Sequence, residues 1–144
     1  MKLEHYGLAF HHVGIALRSE EQARLFLSGL GYSIGPVIFD PEQNVRVGLC
    51  RAERQPPIEI VLAGAEGGPI SNMLKRQDSV IYHFCYVAAS AESSLAAMAA
   101  DGLSVVTVSE AKPAVLFSGL PVSFHYVGGF GCLIELIHSA NPIE

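Results

Sequence analysis

The segment HVGIALRSEEQARLFLSGLGY, beginning at His12, returns 71 residues later as HFCYVAASAESSLAAMAADGL. That constant offset places His12 on His83, Ser19 on Ser90, Glu21 on Glu92 and Gly31 on Gly102. A second echo follows at a similar spacing: IEIVL (Ile58–Leu62) and IELIH (Ile134–His138) each embed one carboxylate, Glu59 and Glu135, among apolar residues. An internal duplication restricts a chain to folds made of two copies of one supersecondary unit, each of which needs its neighbour to complete a core. At 144 residues the two copies make one domain, 1–144, of ordinary single-domain size. Its parts are a first module at about 8–64, a linker at 65–78 and a second module at about 79–138.

Each copy reads as strand, helix, then strands. Phe10–Leu17 is rich in β-formers, and Ser19 followed three residues later by Gln22 has the spacing of a capping box, opening a helix through Leu27 that Gly29 and Gly31 end. The second copy repeats this with a strand at Ile81–Val87, a Ser90 cap, an Ala-rich helix and Gly102 as its stop. Further strands are expected at Ser33–Phe39, Val45–Cys50 and Ile58–Leu62, then at Ser104–Val108, Val122–Val127 and Leu133–His138. Gly64–Asp78 reads as the linker, with a short helix at Ile70–Lys75. The pattern is βαβββ twice, an α+β fold.

The alternation of side chains along a strand then says where the polar residues point. On the first strand His12, Gly14 and Ala16 share one face, and Val13, Ile15 and Leu17 the other, apolar face that the helix should cover. Glu59 opposes Ile58, Ile60 and Leu62, and Glu135 opposes Ile134 and Leu136. Each module therefore offers one imidazole and one carboxylate from its non-helical face. Singly, a strand histidine is ordinary and a strand glutamate usually faces water. Repeated together in two packed modules, two imidazoles and two carboxylates in one cleft are costly unless a cation neutralises them.

Composition removes other classes of function. A net charge of −5 with nine Lys and Arg lacks the basic footprint of a nucleic-acid binder. No apolar run approaches the ~20 residues of a membrane span, and Met1-Lys-Leu-Glu-His lacks a signal-peptide core. The expected location is cytoplasmic. Cys50, Cys85 and Cys132 are odd in number and far apart, as reduced thiols are, without the spacing of a zinc or redox motif.

FHHVGIAL, PEQNVRV, IEIVLAG with GPISNML after it, and GCLIELI together resemble the vicinal oxygen chelate superfamily of glyoxalases, bleomycin-resistance proteins and dioxygenases. The resemblance covers nearly the whole chain. Within that superfamily the sequence is most similar to methylmalonyl-CoA epimerases, which share a His-(Ile/Val)-Gly-Ile-Ala start, a Pro-Glu-Gln-Gly-Val run and a Leu-Ile-Glu-Leu end. The resemblance implies paired βαβββ modules forming a cup-shaped, mostly antiparallel sheet with the helices outside, and His12, Glu59, His83 and Glu135 as metal ligands. Departures fall in the segments that face substrate. Tyr82 precedes His83 where epimerases carry a second His, Val47 stands where some carry a catalytic Glu, Asn44 replaces a Gly, and KPAVLFSGLPVSF replaces a Gly-rich, Lys-containing loop. His125 falls where similar epimerases often carry a His, and the resemblance implies a place behind the ligands or facing substrate.

A two-His, two-Glu set mixes borderline nitrogen with hard oxygen and suits Zn, Co, Ni or Mn with positions left open for substrate. Metal chelation of a carbonyl acidifies the neighbouring C–H, and Glu135 and Glu59 are the candidate catalytic bases. The leading expectation is a metal-dependent isomerase or lyase acting on an acyl thioester or 2-oxo compound, as in epimerisation of a 2-methyl acyl-CoA. One rival is an Fe(II) extradiol-type dioxygenase using His12, His83 and Glu135, which leaves Glu59 unexplained. The other is a non-catalytic small-molecule-binding protein of the resistance type, which leaves both His/Glu pairs unexplained. A homodimer is the expected assembly.

Overall fold

Ten residues of alternating character, Leu8–Leu17, form strand β1. The computed structural model describes residues 4–64 and 68–143. After β1 come helix α1 (Glu20–Gly29), β2 (Ser33–Ile34), β3 (Ile38–Asp40), β4 (Val45–Ala52), β5 (Gln55–Ala63) and helix α2 (Pro69–Met73). The second copy gives β6 (Ser79–Ala88), helix α3 (Ala91–Ala100), β7 (Val105–Pro113), β8 (Pro121–Val127) and β9 (Leu133–His138), with a 3-10 turn at Val115–Phe117. This is the expected α+β order.

The caps explain where the long helices begin and end. The Ser19 hydroxyl accepts the Gln22 amide at 3.1 Å, and Ser90 accepts the Ser93 amide at 3.3 Å, so each satisfies an N–H that the first turn leaves unpaired. Beyond their ends, Gly31 and Gly102 sit at φ +98° and +89°, a region costly for any residue with a Cβ. Several boundaries differ from the sequence expectation: β7 runs on to Pro113 rather than ending at Val108, and β5 begins at Gln55 rather than Ile58. The strand expected over Ser33–Phe39 is broken between β2 and β3, because Pro36 has no N–H to donate and Gly35 lies so close to β4 that a Cβ would meet the Leu49 carbonyl oxygen at 2.6 Å. The short helix spans Pro69–Met73 rather than Ile70–Lys75. Residues 65–67 of the expected linker lie outside the described residues.

The chain forms two compact units. The first comprises residues 12–82 and 115–118. In it β1 runs parallel to β5, β5 is antiparallel to β4, and β4 is antiparallel to both β2 and β3. Ile15, Leu17, Ile58, Ile60 and Leu62 pack with Ala23 and Leu27 on the α1 face, while Ala16, Val45, Val47 and Val61 pack with Ile70 and Leu74 on the other. The alternation read from the sequence therefore holds, with α1 on the Ile15 face.

The second unit comprises residues 4–11, 83–114 and 119–143. Here β6 runs parallel to β9, β9 is antiparallel to β8, and β8 is antiparallel to β7. Ala88, Ile134 and Leu136 pack with Ala91 and Leu95 of α3, so Glu135 again faces away from the helix. Among the described residues no helix is long and apolar enough to cross a membrane.

Candidate metal centre

The parallel pairing of the first and last strands of a module makes the site. In the first unit Gly14 pairs with Glu59, and His12, two residues earlier on the same face, lies diagonally across from that carboxylate. Its Nε2 is 3.4 Å from Glu59 Oε1. In the second unit Cys85 pairs with Glu135, and His83, again two residues earlier, brings Nε2 to 3.0 Å from Glu135 Oε1. The duplication thus extends beyond residue types to strand register.

All four side chains are buried: His12 and His83 are 0% and 1% exposed, Glu59 and Glu135 5% and 2%. This removes the ordinary explanation of a strand glutamate, a solvent-facing residue. Each imidazole is also held by an aromatic ring. Phe117 stacks on His12 at 5.5 Å between centroids with 26° between planes, and Phe124 meets His83 edge-on at 5.5 Å and 67°. Within either unit, the nitrogen and oxygen fit a shared divalent ion. With metal–ligand bonds of ~2.1 Å, two donors lie about 3.0 Å apart at a right angle and about 3.4 Å apart at the tetrahedral angle.

The sequence profile of the Glyoxalase/Bleomycin resistance protein/Dioxygenase superfamily matches residues 11–124. The chain belongs to that superfamily. The matched span contains His12, Glu59 and His83 and ends before Glu135. No curated protein matches the chain by sequence. Solved structures show the same fold at low identity. Methylmalonyl-CoA epimerase from Mycobacterium tuberculosis has a TM-score of 0.76 at 18% identity, covering 97% of this chain and 94% of its own. A hypothetical protein from Bacillus halodurans has a TM-score of 0.75 at 21% identity, covering 95% and 98%. A Streptomyces coelicolor methylmalonyl-CoA epimerase variant, solved in complex with 2-nitronate-propionyl-CoA, has a TM-score of 0.68 at 19% identity, covering 93% and 99%.

Other residues singled out from the sequence take different places. Val47, where some superfamily epimerases carry an acid, is 5% exposed and pairs with Val61 on the Glu59 face, so β4 adds apolar wall and no titratable group there. Cys85 is fully buried beside Glu135 in register, a core thiol. His125 does not border the site. It pairs with Ile134, and its ring bonds to Thr107 Oγ1 (2.9 Å) and Ser123 Oγ (2.8 Å) on the α3 face.

Two residues were not found from sequence. Phe117 lies in a 3-10 turn with no period to read, and Asp40 ends a three-residue strand. Phe124 of β8 packs on His83.

Proposed function

We propose that this chain is a metal-dependent isomerase or lyase that moves a proton beside a carbonyl, with epimerisation of a 2-methyl acyl-CoA as its leading reaction. The observation that carries the proposal is the recurrence of one buried His–Glu pair, in one register, in both units. His12, Glu59, His83 and Glu135 are proposed to hold one divalent ion, of the kind that mixed nitrogen and carboxylate donors accept. When bound, the ion supplies Lewis acidity that polarises a substrate carbonyl and acidifies the adjacent C–H.

The proton transfers fall to this chain's own side chains. Val47 leaves Glu59 as the carboxylate on its face of the first unit's β4–β5 ladder. In the second unit Glu135 stands among Val122, Phe124 and Ile137. Glu135 is proposed to remove the substrate proton and Glu59 to return one to the opposite face. The acyl-CoA complexes among the structural neighbours support a small acyl substrate.

Elemental analysis of purified protein, followed by proton exchange in deuterated water against acyl-CoAs and 2-oxo acids, tests the reading. Stoichiometric metal and exchange at the carbon next to the carbonyl, with no need for O₂, are the expected results. Metal-free protein that exchanges nothing, or turnover requiring iron and O₂, overturns it.

A further inference from the structure

His12 is fully buried, and the ring lying on it comes from a segment whose attachments differ from those of any strand. Residues 114–120 form a small loop closed at its base by two backbone bonds: the Ala114 amide donates to Leu120 O and the Gly119 amide to Ala114 O, both at 3.0 Å. At the tip, Leu116 enters the Ala16–Val47–Val61 cluster and Phe117, 6% exposed, stacks on the His12 ring. Ser118 at φ +55° and Gly119 at φ +81° follow in succession. Serine in this region is held by its surroundings rather than by preference, which marks the turn as an imposed one.

A buried carboxylate also bonds to the tip. Asp40 is 3% exposed. Its Oδ1 accepts the amides of Glu42 (3.0 Å) and Gln43 (3.3 Å), which shapes the turn after β3. Its Oδ2 accepts Gln43 Nε2 at 3.1 Å and, at 3.5 Å, the Val115 amide of the loop. Oδ1 thus serves the turn alone, and Oδ2 is shared between Gln43 and the loop.

We infer that residues 114–120 are a lid over His12, with Phe117 as its seal and Asp40 as the positioning residue that latches it through the Val115 amide. No residue of the loop is among the proposed ligands, so the lid governs how fast His12 is reached and leaves the affinity at equilibrium alone. The importance of His12 as a ligand rests on the function proposed above; the closure itself rests on the loop.

Asp40→Asn releases the loop while keeping the backbone bonds of the turn: the remaining carbonyl oxygen still accepts the Glu42 and Gln43 amides, the new NH₂ cannot accept from Val115, and the Gln43 side chain can turn its own oxygen toward that NH₂. Carbethoxylation of His12 by diethyl pyrocarbonate, read by peptide mass on metal-free protein, reports opening, and His138 serves as internal control. Loss of a charge-assisted bond should raise the His12 rate by roughly five- to tenfold, with amide exchange across 115–119 rising in step and the His138 rate unchanged. Phe117→Leu, which keeps most of the apolar volume, should raise the His12 rate without changing exchange at Val115. Both variants should take up Co²⁺ faster by similar factors at an unchanged Kd. An unchanged His12 rate in Asp40→Asn, or an equal rise at His12 and His138, overturns the lid. A wild-type chain that binds no Co²⁺ overturns the metal reading instead, and the modification rates still decide the lid.

Discussion

A carboxylate 2% exposed, with an imidazole nitrogen 3.0 Å away, makes Glu135 and His83 energetically dependent on each other. Removing one partner of such a pair leaves a buried polar group uncompensated, a loss of about 3–5 kcal/mol where the survivor stays charged. His83→Ala should therefore destabilise the metal-free protein severely, and adding Glu135→Gln should recover part of the loss, because an amide is cheaper to bury than a carboxylate. Urea unfolding of the single and double variants should give a coupling energy of about 0.5–3 kcal/mol. Strict additivity would show that the two groups do not sense each other. At this scale the sequence was legible where a period existed. Parity on the strands placed His12, Glu59, His83 and Glu135 on the faces they occupy. Parity cannot say which strand lies alongside, so the diagonal contact of His12 with Glu59 required the parallel β1–β5 pairing. Asp40 and Phe117 lie where no period applies.

Elements were most legible where caps and glycines gave positional signals: Ser19, Ser90, Gly31 and Gly102 mark the ends of α1 and α3, and the structure uses all four. The one expected strand that failed, Ser33–Phe39, contains Gly35-Pro36, whose backbone chemistry outweighs the β-formers around it. The histidines of β8 and β9 were harder to place, because the assignment of His125 followed resemblance while its face followed the register of β8 on β9. There Ser123 Oγ lies 2.8 Å from both His125 Nε2 and His138 Nε2. One hydroxyl proton means that Ser123 donates to one ring and accepts from the other. Burial lowers the pKa of both imidazoles, and for His125 the neighbouring His138 lowers it further while Glu110 opposes. Between the unfolded value of ~6.5 and these lower folded values the unfolded chain binds more protons, so this contribution is complete above pH ~6.5 and is lost as pH falls through the window. The urea midpoint should drop from pH 7.5 to pH 5, and His138→Gln, which keeps a hydrogen-bonding group for Ser123, should shrink that drop. An equal drop in both proteins would show that the cluster does not titrate on unfolding.

For the whole molecule, duplication was the strongest signal, because it specified two copies of one module before any element was placed. Its energetic consequence is that each unit commits a buried His–Glu pair. An ion bound only by the folded state should stabilise it by about 2.7 kcal/mol at 100-fold excess over Kd. Adding Zn²⁺ or Co²⁺ to chelator-treated protein should raise Tm, and His12→Ala should abolish the rise. Ligation needs neutral imidazole, so the rise should also fade below pH ~6. A shift of equal size in His12→Ala would place the ion elsewhere.

The two modules also set the stereochemistry expected of the reaction. If one unit supplies the base that removes a proton and the other the acid that returns it, Glu59→Gln and Glu135→Gln should behave as complements rather than duplicates. Each keeps an oxygen that can ligate an ion, so metal content should change little. Each loses a general base, and interconversion of substrate enantiomers should fall by roughly 10²- to 10⁴-fold. Exchange need not fall with it. In deuterated water the variant that keeps Glu135 should wash deuterium into the enantiomer whose proton faces Glu135, and the variant that keeps Glu59 into the other. Racemisation and exchange measured separately for each pure enantiomer distinguish the possibilities. Opposite enantiomer preferences establish one base per unit, loss of exchange from both enantiomers in only one variant reduces the mechanism to the base that variant lacks, and undiminished racemisation in both removes Glu59 and Glu135 from the chemistry.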